Sequence, residues 1–325
     1  MAKRTKTTRL IGLSCATLVW VLLPPGSSIP TPAKPGLLYQ GRTIEDWVSG
    51  IWVANKDSNP EIQRVVAIGT PAVPHLVRRL EAGHSRLVRS DFCWKVRLKL
   101  PARLQGILSS PVPLNTQAEE QELRAVAYTV GLIGPDARQA VPVLIQIAKD
   151  QELHSFTREL AVWALGQIGP PARRSVPTLV DCLKDDHQRP EHRGWDAAVQ
   201  LTDPAELRFR ACAARSLARI GVPEPRAIPP LQRLLSTKDA FAHSSAAVAL
   251  WRMDPCQSNV LLVSGLLQSP DPALRRNTAV CVGQVGEPAA CFVSTLQTLL
   301  GESNGVSAVA RLALGQIQGS NTNTP

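Results

Sequence analysis

The stretch VGLIGPDARQAVPVLIQIAKD, from Val130 to Asp150, is an alanine-bearing run closed by Ile-Gly, then a short polar turn, then a second apolar run opened by Val-Pro. The same sentence returns as LGQIGPPARRSVPTLVDCLKD from Leu165, as LARIGVPEPRAIPPLQRLLSTKD from Leu217 and, eroded, as VGQVGEPAACFVSTLQTLL from Val282. The glycine position falls at Gly134, Gly169, Gly221, Asp254, Gly286 and Gln318, with steps of 35, 52, 33, 32 and 32 residues. Gly69, in AIGTPAVP, extends the series toward the N-terminus. Self-similarity at such a period is the signature of a solenoid rather than of a single globular core.

Each unit predicts helix, turn, helix. Ala161, Ala213 and Ala246 stand eight residues before the glycine position, where a small side chain lets a neighbouring helix come close. Gly134, Gly169 and Gly221 supply the left-handed residue that ends the first helix, and Pro135, Pro170 and Pro223 forbid its continuation. Pro142, Pro177 and Pro229 lie eight residues after the glycine, in the first turn of the second helix, where no hydrogen bond is lost. Arg158, Arg210 and Arg275, eleven before the glycine position, open first helices and read as solvated ends or packed stems. Neither helix buries its apolar stripe alone, so neighbouring units must stack.

The residues from Thr43 to Gly319, and most strongly those from Leu123 to Leu235, resemble the HEAT-repeat superfamily, in particular the short bacterial repeats called PBS-lyase HEAT-like, with the pattern R-x-x-A-A-x-A-L-G-x-I-G followed by A-V-P-x-L. The resemblance implies an all-α, right-handed α-solenoid of seven to eight units of about 33 residues, one of them degenerate, that works by offering surface to partners. It implies no activity. It also implies that the second helix of each pair lines the concave side, which makes Arg78, Arg79, Arg174, Lys184 and Arg233 the candidate partner contacts. The opening YQGRTIEDW, with AIGTPAVPHLVRRL, is similar to bacterial proteins that join an export signal to a HEAT array.

Two departures interrupt the period. Between Gly69 and Gly134 lie 65 residues, about two periods, and the middle carries FCWKVRLKLPARLQGIL in place of Ile-Gly. Phe92, Trp94, Val96, Leu98 and Leu100 alternate with polar residues or Cys93, a strand period. A lone strand in an α-array has no partner, so this segment is expected to be a degenerate helical unit. The step of 52 after Gly169 locates an insertion near 185–203, and insertions of this kind fall in loops on one face of a solenoid.

The 325 residues hold 44% apolar and only 4% aromatic side chains, as expected for cores of Leu, Ala, Val and Ile, and strand signals are almost absent. One elongated repeat domain over 43–319 accounts for the length, with a polar, disordered tail at 320–325. Lys3, Arg4, Lys6 and Arg9 precede an uncharged run from Leu10 to Leu23 and then Pro24, Pro25, Gly26, Ser27 and Ser28. This is signal-peptide order, so residues 1–28 are expected to direct export or to remain as an N-terminal membrane anchor. Helix over that run would span only about 21 Å, short of the ~30 Å hydrocarbon layer. Residues 29–42, rich in proline at their start, read as a linker.

The chain carries a net +10, but removing four basic residues with the leader leaves 32 basic against 26 acidic, or +6. Much of the excess lies in Arg78, Arg79, Arg86, Arg89, Lys95, Arg97, Lys99 and Arg103, opposed only by Glu81 and Asp91. Such a segment offers itself to an anionic surface, or simply solvates helix faces, and nucleic acid is the least expected partner for an exported chain. Six cysteines remain after the leader, without C-x-x-C spacing; Cys281 with Cys291 would bridge the two helices of one unit, while cysteines in Ala-rich helices otherwise serve as small buried residues.

Chemistry-bearing motifs are thin. His187 and His192, among Asp185, Asp186, Glu191 and Asp196, are weak metal candidates, because five-residue spacing in a Pro-containing loop is not a zinc pattern. The deoxyhypusine hydroxylases, HEAT-like enzymes that hold iron through His-Glu dipeptides, resemble the chain in fold, but no His-Glu occurs in it. Phycobilin lyases share the repeat without a compact motif to test. No Ser-His-Asp or phosphate-loop signature appears, and Gly-x-x-Gly at Gly131, Gly166 and Gly283 reads as a turn of the repeat. The sequence therefore predicts a scaffold without catalytic residues, cofactor or metal, binding protein partners, with a HEAT-fold lyase or metal-dependent hydroxylase and polyanion binding through 78–103 as the alternatives.

Overall fold

The computed structural model describes residues 38–51, 60–99, 116–184, 204–302 and 305–319, with backbone alone at 89–99, 116 and 117. The expected leader, most of the linker, the insertion at 185–203 with His187 and His192, Arg103 and the tail at 320–325 lie outside the described residues, as do the side chains of Cys93, Arg89, Lys95, Arg97 and Lys99. Among the described residues no helix is long and apolar enough to cross a membrane.

The folded body opens with a two-residue hairpin, β1 (Leu38–Tyr39) paired with β2 (Arg42–Thr43), inside the segment expected to be linker through residue 42. Gln40 and Gly41 both take positive φ, 49° and 79°, the turn that matches the twist of paired strands. The hairpin is fastened to α1 (Ile44–Ser49), whose Trp47 Nε1 donates to the Tyr39 carbonyl at 2.9 Å, and Thr43 caps the helix in a reciprocal capping box with Asp46.

Paired helices follow: α2 (Pro60–Ile68) with α3 (Val73–Lys99), α4 (Thr116–Ile133) with α5 (Val141–Lys149), α6 (Ser155–Ile168) with α7 (Val176–Lys184), α8 (Pro204–Ile220) with α9 (Ile228–Leu235), α10 (Ala240–Met253) with α11 (Gln257–Leu267), α12 (Pro272–Val285) with α13 (Val293–Thr298), and finally α14 (Val306–Ile317). Helix, not strand, is therefore the state of Phe92–Lys99, as the tail of a 27-residue α3. The α2–α3 pair packs straight onto α4, with Arg79 Nε donating to Glu122 at 2.5 Å and His84 meeting Asp150 at 2.9 Å. No hairpin intervenes there among the described residues, and α3 runs unbroken through Gly83 to Lys99.

The corner glycines differ from expectation in one respect. Gly69, Gly169 and Gly286 sit at φ 68°, 70° and 78° with ψ −134°, −139° and −147°, and Gly134 and Gly221 share the positive φ. This is not the left-handed helical cap but a region essentially reserved for glycine, so the chain leaves the helix through a sharp corner. A 3₁₀ turn then leads into the second helix, as at Pro170–Ser175. Where glycine is missing, Asp254 turns in ordinary extended space at φ −142°, ψ 91°.

The core is one apolar spine running through every pair. Leu165, Ile168, Leu179, Leu217, Leu231, Phe209 and Phe292 have almost no exposed surface, and each such side chain contributes roughly 1.5–3 kcal/mol on burial.

Candidate functional site

The two rows of helices pack unequally. The first helices α4, α6, α8, α10, α12 and α14 lie against one another along their length, whereas α5, α7 and α9, and likewise α11 and α13, touch only at a few residues. Arg215 on α8 reaches past α10 and donates to Gln284 Oε1 on α12 at 2.6 Å. A side chain skips a unit in this way only on the shorter side of a bend, so the Ala-rich first helices form the inner row.

Glycine makes the closeness possible. A Cβ on Gly131 would stand 2.2 Å from the Trp163 ring, on Gly166 2.8 Å from the Cα of Ser216, and on Gly283 2.6 Å from the Cα of Ala313. The Gly-x-x-Gly sequences are thus contact seats on helices, not only turns. Ser216 completes one contact by donating to the Val162 carbonyl at 2.9 Å.

Arginines finish the seams. Arg158, one of three arginines expected at solvated ends or in packed stems, is 5% exposed, donates from Nε to the Ala148 carbonyl near the end of α5 at 3.1 Å and lies 4.6 Å from the Phe209 ring centroid. Arg275 likewise donates to the Ser269 and Pro270 carbonyls and pairs with Glu302 at 2.7 Å. Arg158 thus serves a carbonyl that the end of α5 leaves unpaired, where positive charge is favoured, and Arg275 fastens the loop between α11 and α12. A second set stands two residues before the corner: Arg219 Nε donates to Gly166 O at 2.8 Å, and Arg252 Nε to Ala218 O at 3.2 Å.

The inner row carries the candidate site. Six residues before the corner stand Tyr128, Trp163 and Arg215 on adjacent helices, the first two stacked with centroids 5.2 Å apart. Arg215 lies 5.1 Å from the Phe241 ring. Arg124 pairs with Glu120 on α4 at 2.7 Å, and Arg208 at the start of α8 pairs with Glu159 on α6 at 3.3 Å. Arg215 and Arg219 farther along α8 and Arg252 on α10 differ, since among the described residues no carboxylate pairs with them. Burial, and next the charge of Arg215, lower the pKa of Arg219 to about 10, and burial lowers that of Arg252.

The contacts expected on second helices are placed elsewhere. Arg78 is exposed beside His75, and Arg79 is half-buried and committed to Glu122 and to the Val48 and Ser49 carbonyls. Arg174, Lys184 and Arg233 are exposed on the outer side, and no contact joins any two of the five. Assigning the concave side to second helices is thus corrected, because the glycine seats lie on first helices. Of the basic 78–103 segment, Arg79 and Arg86 face Glu122 and Glu119. No disulfide joins the described cysteines 182, 212, 256, 281 and 291; burial first of all pushes the Cys212 thiol up to about 12, which keeps it unreactive. Among the described residues no three His, Cys, Asp or Glu side chains gather as metal ligands.

A curved stack of helical hairpins on one continuous spine is an α-solenoid. Family models match as HEAT repeats over residues 114–195 and as the PBS lyase HEAT-like repeat over 210–237, so the chain carries HEAT repeats in these stretches. No curated protein matches it. Among solved structures, human deoxyhypusine hydroxylase in complex with glycerol is 18% identical with a TM-score of 0.28, covering 75% of this chain and 97% of the other. An engineered protein has the same identity and TM-score, covering 85% and 78%. At that TM-score neither likeness bears on function.

Proposed function

We propose that the chain is a non-catalytic scaffold that receives a protein partner on the inner helix row. The observation that carries this reading is the run of half-exposed aromatic and guanidinium side chains, Tyr128, Trp163, Arg215, Arg219 and Arg252, on helices held in register by close glycine contacts and by arginine-to-carbonyl hydrogen bonds. Aromatic and arginine side chains are those that dominate binding energy in interfaces, and a preorganised surface spends little on ordering. Export, or tethering by residues 1–28, belongs to the same proposal and is supported by the order of basic, apolar and small residues at the N-terminus. Cell fractionation with N-terminal sequencing of the product checks the location.

Site-specific photo-crosslinking in the native host tests the scaffold role. A crosslinker at Gln167 on the inner row is expected to trap a discrete partner, and one at Gln232 on the outer row is not. Absence of adducts from both rows removes the scaffold reading.

A further inference from the structure

We propose that the inner row from α6 to α12 binds an extended, carboxylate-bearing peptide segment, with Arg215, Arg219 and Arg252 receiving its carboxylates and the Trp163 ring receiving an adjacent apolar side chain. This deepens the scaffold reading and rests on it. Three observations carry it independently of sequence family. The first is charge. Arg219 and Arg252 each commit Nε to a carbonyl, and Arg215 commits Nη2 to Gln284. Other guanidinium nitrogens remain on each, none of them buried without a partner, and no described carboxylate answers them. The helix ends at Gly166 and Ala218 offset part of the charge on Arg219 and Arg252, but Arg215 stands mid-helix and has no such compensation.

The second is spacing. Neighbouring helices pack 8–10 Å apart, about the rise of one three-residue turn of polyproline II chain, which returns every third side chain to the same face, so a segment in that form laid across the row would present carboxylates at every third residue to the arginines of α8 and α10. The third is what flanks the cations. Glu120 and Glu159 are each paired with an arginine, which leaves no free cation there for a ligand, and Trp163 adds an apolar ring. A continuous polyanion such as nucleic acid would find unpaired cations only on α8 and α10, whereas a short mixed acidic and apolar segment matches that limited span.

The test uses the full chain and a fluorescein-labelled peptide of repeated Glu-Ala-Phe, read by anisotropy, with repeated Gln-Ala-Phe as the uncharged control. Binding of the Glu peptide is expected to weaken about tenfold between low and physiological salt, because half-exposed pairs are screened. Arg215→Glu and the milder pair Arg215→Gln with Arg252→Gln are each expected to lower affinity at least tenfold, while Arg233→Glu on the outer row leaves it within twofold. Circular dichroism verifies that each variant is folded, and the Gln pair stands in if the Glu variant is not. Equal binding of the Glu and Gln peptides, unchanged affinity in the folded variants, or displacement of the peptide by an oligonucleotide at lower concentration than by free Glu peptide each overturns the proposal. Cross-linking at Gln167 that persists in the Arg215 variants leaves the scaffold standing while removing this site; no cross-linking at all removes the scaffold instead.

Discussion

The inner and outer rows are built from the same repeat and solve opposite problems. Inner helices are Ala-rich, carry glycine where the next helix presses at three of their five seams, on α4, α6 and α12, and leave only a narrow strip of side chains in contact with water. Outer helices, three of which open on Val-Pro, stand apart from one another and expose Arg174, Lys184 and Arg233 singly. Residue size, not hydrophobicity, separates the two, since both rows bury leucine completely. The difference teaches that curvature in this array is set by where a Cβ is omitted.

The heaviest blow to that contrast is Gly166→Val. The new Cβ would meet the Ser216 backbone, which cannot swing aside, and a loss of about 3 kcal/mol is expected from urea denaturation. Gly265→Ala on outer helix α11, where nothing lies within 4 Å, should instead gain about 0.5–1 kcal/mol. Similar changes at both positions would dissolve the distinction between the rows. Gly169→Ala comes next at about 2 kcal/mol, because φ 70° with ψ −139° strains any side chain. Asp254→Gly, at a corner already in ordinary backbone space, should gain nothing in the same assay.

Arg158→Met is expected to cost about 1.5–2 kcal/mol by leaving the Ala148 carbonyl unserved, against less than about 0.5 kcal/mol for Arg173→Met on the exposed turn. Thermal melts of the pair sharpen the claim that the arginine eleven before the corner belongs to the seam. The smallest effect concerns acid. Burial raises the Asp150 pKa, but the His84 hydrogen bond, the Glu152 backbone N–H and the charges of His84 and Arg158 outweigh it and hold the carboxyl below its usual value. Its stabilisation is therefore present above the unfolded value of about 3.9 and disappears as pH falls through the lower folded value. Asp150→Asn should lose under about 1 kcal/mol near neutrality, and the difference from wild type should close in acid. A gap that widens on acidification would reverse the assignment.

Much of the fold was legible because the corner glycine, the following proline and the Val-Pro start are local constraints that act within a few residues. Which row faces inward was not. Both helices of a unit carry an apolar stripe, and the choice depends on contacts between units more than thirty residues apart, such as Gly166 against Ser216. Gly131, Gly166 and Gly283 held the clue, since glycine inside a helix costs stability unless a neighbour needs the space. Arg215, Arg219 and Arg252 escaped notice for a related reason: they sit in helices whose alanines read as core, and the strip facing water is only one residue wide per turn. The hairpin at Leu38–Thr43 was hidden by its brevity, with Gln40 holding a positive φ that sequence rarely advertises.

The glycine seats also fix how the array yields to force. Bound along its inner edge like the spine of a book, it has no side-chain cushion there to compress, while the outer helices are free to fan like pages. Flexing therefore changes the gaps between pages and leaves the approach of α6 to α8 at Gly166 nearly constant, so a guest lying along that seam would ride through the motion undisturbed.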